Sequence, residues 1–127
     1  MIAFPTRGLY AITQTQNNQA KTQSFDTLFE DVDAAIRGGA AVIQYRDKNP
    51  VDAPYVALEL VKICHQHNVP LVINDDIDLA ILTKADGVHL GKDDGEIIAA
   101  RKRLGNTAII GVSCYNSIER AMTAQTL

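Results

Sequence analysis

Apolar and polar positions along the chain switch between two periods. Compact apolar runs fall at residues 8–13, 41–45, 71–73, 87–90 and 108–112, and between them apolar side chains recur at spacings of three, four and seven. The compact runs are rich in β-prone residues and bounded by Gly, Asn, Asp or Pro, so each reads as a strand. The polar stretch Gln14 to Gln23 reads as a loop. After it, Phe25, Leu28, Phe29, Val32 and Ile36 predict a helix that Ser24 or Asp26 caps and Gly38-Gly39 ends. Val56, Leu60, Ile63 and Cys64 place one face of a second helix over 53–67, and Asn68-Val69-Pro70 closes it because the residue before a proline is pushed out of the helical region. A short third helix is expected over 77–83 and a fourth over 95–104, stopped by Gly105-Asn106. Ser117 is positioned to cap a last helix through Ile118, Ala121 and Met122.

Five strands alternating with five helices through short connections imply repeated right-handed βαβ units and a parallel sheet. One domain over residues 1–127 accommodates them. An open doubly wound sheet usually carries a glycine-rich phosphate loop after its first strand, whereas Thr13-Gln14-Thr15 follows here and no G-x-G-x-x-G occurs. The expected fold class is therefore α/β, an incomplete TIM (β/α)8 barrel with about five of the eight units that a complete barrel builds from about 250 residues.

Composition narrows the function. With 46% hydrophobic and 21% charged residues the chain is globular in character, and a formal charge of −3 offers no general attraction for nucleic acid. The single basic run, Arg101-Lys102-Arg103, lies in a helical pattern and reads as a solvated face. Cys64 and Cys114 match no metal or redox spacing and are expected to be free thiols in a reducing compartment. No run is long enough to span a membrane, and the first residues lack a signal pattern, so a cytoplasmic location is expected.

Candidate chemistry gathers where the strands end. Gln44, Arg46 and Lys48 leave the second strand, Asn74 and Asp75 the third, His89, Asp93 and Asp94 the fourth, and Ser113 the fifth. Alternate residues of an extended segment share a face, so Gln44, Arg46 and Lys48 form an anion clamp, unless the cations simply pair with Asp47 or Asp52 in a charged loop. Asp75 and Asp94 come from neighbouring strand ends, where two carboxylates a few ångströms apart repel by about 4 kcal/mol at an effective dielectric near 20. A divalent cation removes that repulsion, and carboxylate oxygens with few other ligands suit Mg²⁺. Asp76, Asp78 and Asp93 read as helix-start carboxylates. His65 and His67 face opposite ways on their helix, and His89 reads as a hydrogen-bonded core residue.

Taken in order, five segments resemble the thiamine-phosphate synthase family: Gly8 to Thr13, Ala34 to Lys48 with its Gln44-Tyr45-Arg46-Asp47-Lys48, Val69 to Asp75, Ala85 to Gly91, and Ile110 to Ser113. The resemblance implies a TIM-barrel transferase of thiamine biosynthesis that joins hydroxymethylpyrimidine diphosphate to thiazole phosphate with release of pyrophosphate. In such enzymes the diphosphate leaves first and the thiazole nitrogen captures the pyrimidine carbocation. It further implies that Gln44, Arg46, Lys48 and Asn74 hold the pyrimidine diphosphate, that Asp75 and Asp94 bind Mg²⁺, and that Ser113 contacts pyrophosphate. Arg46, Lys48 and Ser113 would stabilise the charge growing on the leaving group.

The chain departs from the family pattern at Lys92, where glutamine is usual, and at Cys114-Tyr115, where a histidine is common two residues after the serine. Tyr115 thereby argues against a thiazole tautomerase. The resemblance also implies later strands, with a lysine and glycine-rich turns for the thiazole phosphate, that these 127 residues do not include. Low activity of the isolated chain and self-association through its open sheet edges are expected. The alternative is a non-catalytic or regulatory module that retains the pyrimidine diphosphate and Mg²⁺ half-site.

Overall fold

A computed structural model describes residues 1–15, 25–91 and 93–127, with the side chain of Asp94 outside the description. The elements are β1 (Leu9–Ile12), α1 (Asp26–Arg37), β2 (Ala40–Tyr45), α2 (Ala53–Gln66), β3 (Leu71–Asn74), α3 (Ile77–Thr83), β4 (Gly87–Leu90), α4 (Asp94–Leu104), β5 (Ile109–Val112) and α5 (Ile118–Gln125). Their strands form one parallel sheet in the order β1-β2-β3-β4-β5. Sequential order is what a barrel produces and what a doubly wound sheet, with its reversal of strand order, does not.

The alternation of side chains along each strand sorts them into two faces. Ala11, Ile43, Tyr45, Leu71, Ile73, Val88, Leu90, Ile110 and Val112 join one apolar core with Leu28, Val32 and Ile36 of α1, Val56, Leu60 and Cys64 of α2, Leu79 and Ala80 of α3, and Ile97 and Ala100 of α4. Among the described residues, α1 to α4 thus pack against this face. The intervening positions, Tyr10, Val42, Gln44, Val72, Gly87, His89 and Gly111, turn to the other face, and the sheet curls into a half-barrel. Gly87 is required there: a Cβ would fall 2.0 Å from the carbonyl oxygen of Ile109 on the neighbouring strand.

Most helix boundaries follow the expected signals. Asp52 caps α2 by accepting from the Tyr55 backbone N–H, Asp76 caps α3 by accepting from Leu79, Asp93 caps α4 by accepting from Gly95, and Ser117 caps α5 by accepting from Arg120. These bonds satisfy amides that the first turn leaves without partners. The start of α1 differs. Phe25 occupies the cap position with no side-chain cap bond and Asp26 is the first helical residue, while Ser24 lies outside the described residues. The basic run on α4 is also more than a solvated face, because Arg101 closes the helix end by donating to the carbonyls of Gly105 and Ala108, and Arg103 pairs with Asp78 at 2.6 Å.

The opposite end of the sheet is held by a residue with no obvious sequence signal. Asp86, fully buried just before β4, accepts from the backbone N–H of Ile2 at 2.7 Å and of Leu71 at 2.8 Å, and from His65 Nε2 at 2.7 Å. A carboxylate only accepts, so His65 carries its proton on Nε2.

Candidate functional site

At the carboxyl ends of the strands a cavity of about 410 Å³ opens on the concave face, and Gln44, Arg46, Asn74, Asp75, His89 and Ser113 all line it. The parallel register explains the convergence. Ile12 lies opposite Gln44, Asn74 opposite His89, and His89 opposite Gly111, so the inward row climbs by strand and brings four strand ends to one place.

Gln44 is buried and donates through Nε2 to the Tyr10 hydroxyl at 2.9 Å. Burial raises the Tyr10 pKa, partly offset by this hydrogen bond, so the phenol stays protonated. Arg46 follows just past the end of β2, its backbone N–H bonded to Thr13 Oγ1 at 3.0 Å, with its guanidinium exposed at the cavity. Among the described residues neither Arg46 nor Lys48 has a carboxylate within ion-pair distance, so the charged-loop alternative finds no support there. Lys48 does not line the cavity that holds Gln44 and Asn74. It lines an adjoining cleft of about 470 Å³ with Thr13, Gln14 and Thr15, and Arg46 is common to both spaces.

Asp75 sits in a strained turn. Its φ of 63° is left-handed, its N–H donates to the His89 carbonyl at 2.8 Å, and the next amide, of Asp76, donates back to the Asn74 carbonyl at 2.8 Å. A non-glycine residue in this region costs roughly 1 to 2 kcal/mol, and such strain clusters where function needs a fixed direction. Asn74 Nδ2 donates to Asp75 Oδ2 at 3.3 Å, which leaves hard oxygen donors from both side chains. Of the expected partner carboxylate, Asp94, only the backbone, which opens α4, is described. Lys92 lies outside the described residues. No group of three or more His, Cys, Asp and Glu side chains gathers as a metal cage among the described residues.

His89 is hydrogen-bonded, as expected, but does not belong to the core. It is half-buried on the concave face, with Nε2 3.0 Å from Ser113 Oγ. Burial is the main influence holding its pKa below the ordinary value. The Asp75 carboxylate opposes this and the Arg46 cation adds to it, so the ring is neutral at neutral pH. A sequence signal existed: Val88 and Leu90 are apolar neighbours on the helix side, which forces His89 to the face that carries Asn74. Tyr115, with a φ of 53° and 78% exposure, also borders the cavity.

The Cys64 thiol, fully buried in the helix-side core, is pushed up to about 12 by burial and by Asp86. It takes no part in the site. No helix among the described residues is long and apolar enough to cross a membrane.

Residues 9–127 match the family model described as thiamine monophosphate synthase. The chain is 44% identical over 126 residues to the thiamine-phosphate synthase of Methylococcus capsulatus, covering 98% of this chain and 54% of that protein. It is 49% identical over 121 residues to the thiamine-phosphate synthase of Nitrosococcus oceani, covering 94% of this chain and 54% of that one. Among solved structures, a thiamine phosphate pyrophosphorylase from Pyrococcus furiosus superposes with a TM-score of 0.73 at 31% identity, over 93% of this chain and 55% of that chain. The chain spans about half the length of the curated relatives it matches. Sequence, strand order and fold agree that this chain belongs to the thiamine monophosphate synthase family.

Proposed function

We propose that the chain supplies the pyrimidine diphosphate side of a thiamine-phosphate synthase, which couples hydroxymethylpyrimidine diphosphate to thiazole phosphate and releases pyrophosphate. The observation that carries this reading is the meeting of Gln44, Arg46, Asn74, Asp75 and Ser113 in one cavity at the strand ends. Gln44 has one amide N–H committed to Tyr10, and its carbonyl oxygen and second N–H are the groups to pair with a heteroaromatic edge. Arg46 offers paired N–H donors matched to phosphate oxygens, Lys48 a point charge from the adjoining cleft, and Ser113 a neutral donor.

As the bond from the pyrimidine methylene carbon to the diphosphate oxygen breaks, its electron pair leaves with the diphosphate. Arg46, Lys48 and Ser113 face the growing negative charge and lower the barrier by interactions that strengthen during the step. The thiazole nitrogen then donates its lone pair to the electron-deficient methylene. Mg²⁺ would be held by Asp75, with Asp94 and the Asn74 carbonyl as further oxygen donors, and when bound it neutralises phosphate charge. A site with few protein ligands suits a cation that keeps its waters and bridges to phosphate. A cytoplasmic setting agrees with two free thiols.

Calorimetric titration with hydroxymethylpyrimidine diphosphate and Mg²⁺ tests this reading. Binding by wild type, weakened at least about ten-fold in Arg46→Ala, is expected, since a charged hydrogen-bonding partner contributes about 1.5–3 kcal/mol. Absence of binding by wild type refutes it. Turnover by the 127-residue chain with both substrates is expected to be far below that of a full-length relative. Self-association is supported by the two outer strands β1 and β5, the first of which leaves Leu9 and Ile12 exposed, and by Ile118 and Met122, exposed on α5. Light scattering across concentration checks it, and a constant monomer mass would refute it.

A further inference from the structure

We propose that His89 is a positioning residue for the anion: its Nε2–H donates to Ser113 Oγ and thereby aims the serine hydroxyl proton into the cavity at a phosphate oxygen. The inference rests on the diphosphate reading above and adds a residue to it. His89 and Ser113 stand on neighbouring strand ends, 3.0 Å apart from Nε2 to Oγ, and both line the cavity. Gly111 makes the contact possible. It lies directly opposite His89 in the sheet, and a Cβ there would fall 2.5 Å from His89 Nδ1 and 3.4 Å from Cγ and Cε1. The imidazole therefore lies across the glycine α-carbon, in space that any side chain would fill, and from there its far nitrogen reaches Ser113.

The direction of the hydrogen bond decides what Ser113 offers. A serine hydroxyl has one proton and two lone pairs. Were that proton given to His89, the oxygen would present only lone pairs to a diphosphate, which is repulsive. With Nε2–H donating, one lone pair is occupied and the hydroxyl proton is left for a phosphate oxygen, the arrangement of a charge-assisted bond. The same residue also fixes the opposite wall, because the His89 carbonyl accepts the Asp75 N–H at 2.8 Å and so holds the turn that aims the carboxylate. His89 acts through Ser113 and is not assigned a contact with the reacting atoms.

Calorimetric titration with pyrophosphate and Mg²⁺ at neutral pH tests this in wild type, His89→Leu, His89→Gln, Ser113→Ala and the His89→Leu/Ser113→Ala double variant, with a urea midpoint for each. His89→Leu and Ser113→Ala are each expected to weaken binding about five- to ten-fold, the range for loss of one hydrogen bond. The double variant should bind no more weakly than either single one, since one route is lost in both. His89→Gln, whose amide nitrogen reaches the place of Nε2, should stay within about two-fold of wild type. Long-range ¹H–¹⁵N correlation spectra of wild type should place the imidazole proton on Nε2, whatever the variants' stability. Unchanged binding in His89→Leu, multiplying effects in the double variant, or a proton on Nδ1 would each overturn the inference alone. Failure of wild type to bind pyrophosphate would instead bring down the diphosphate reading on which it stands.

Discussion

Replacing Asp86 with alanine removes the acceptor on which three segments of the chain converge: the N-terminal residues through Ile2, the end of α2 through His65, and the first residue of β3 through Leu71. All three bonds are 2.7 to 2.8 Å long, and the carboxylate is fully buried. Removing a buried carboxylate that three donors share costs about 3–5 kcal/mol, because those donors are left without an acceptor. For 127 residues, an unfolding entropy of about 2.1 cal/mol/K per residue makes ~4 kcal/mol equivalent to a fall of about 15 °C in Tm. Urea denaturation followed by far-ultraviolet circular dichroism measures it. Asp86→Asn is expected to lose less, about 1.5–3 kcal/mol. Its carbonyl oxygen can still serve Leu71 and His65, and its amide then faces the Ile2 N–H, donor against donor, at the segment freest to move away. His65→Ala should cost only about 1 kcal/mol, since that side chain is 35% exposed and the carboxylate keeps two backbone donors. A loss below about 1 kcal/mol in Asp86→Ala, or one no larger than in His65→Ala, would refute the reasoning.

Three other consequences can be measured. Asp75→Gly should raise the urea midpoint by about 0.5–1 kcal/mol equivalent, because glycine adopts a φ of 63° without strain, while abolishing Mg²⁺-dependent diphosphate binding; unchanged or lower stability would contradict the strain. Gly87→Ala drives a methyl group into the Ile109 carbonyl on the next strand and should cost at least about 2–3 kcal/mol, and a calorimetric loss under about 1 kcal/mol would refute it. Cys64 and Tyr45 are both pushed up to about 12, Cys64 by burial and then Asp86, Tyr45 by burial and then Asp47 and Asp52. Their protonated forms are favoured in the folded state, so the stability they contribute is intact below the unfolded values of 9.0 and 10.0 and is lost as pH rises toward about 12. Denaturation midpoints should therefore fall steadily above pH 9.0, and native Cys64 should resist a thiol reagent that labels it after unfolding.

How much was legible in the linear chain depends on the range of the interaction that decides each feature. The five strands, the five helices and three of the caps were legible because periodicity and Asp or Ser before an apolar run act within a few residues. Gln44, Arg46, Asn74, Asp75 and Ser113 were legible as candidates because a polar residue ending an apolar strand has few structural reasons to be there. Their gathering at one end of a parallel sheet was expected too, but which of them share one cavity was not, since that depends on register across four strands. The loop after β2, where the Lys48 N–H donates to Thr15 Oγ1, took Lys48 out of the central cavity, and register made His89 a neighbour of Ser113. The α1 start was misread at Asp26 because a cap depends on local backbone geometry at Phe25, which composition does not reveal.

Asp86 marks the boundary most clearly. In the linear chain it is one acid among fifteen, next to a glycine and before a strand. Its three partners lie 84, 21 and 15 residues away. Local spacing can specify a helix, a strand or a cap, because those are satisfied by neighbours in sequence. A buried carboxylate, and a glycine that leaves room for an imidazole on the next strand, are specified only when distant segments are brought to within 3 Å of one another by the curl of the sheet.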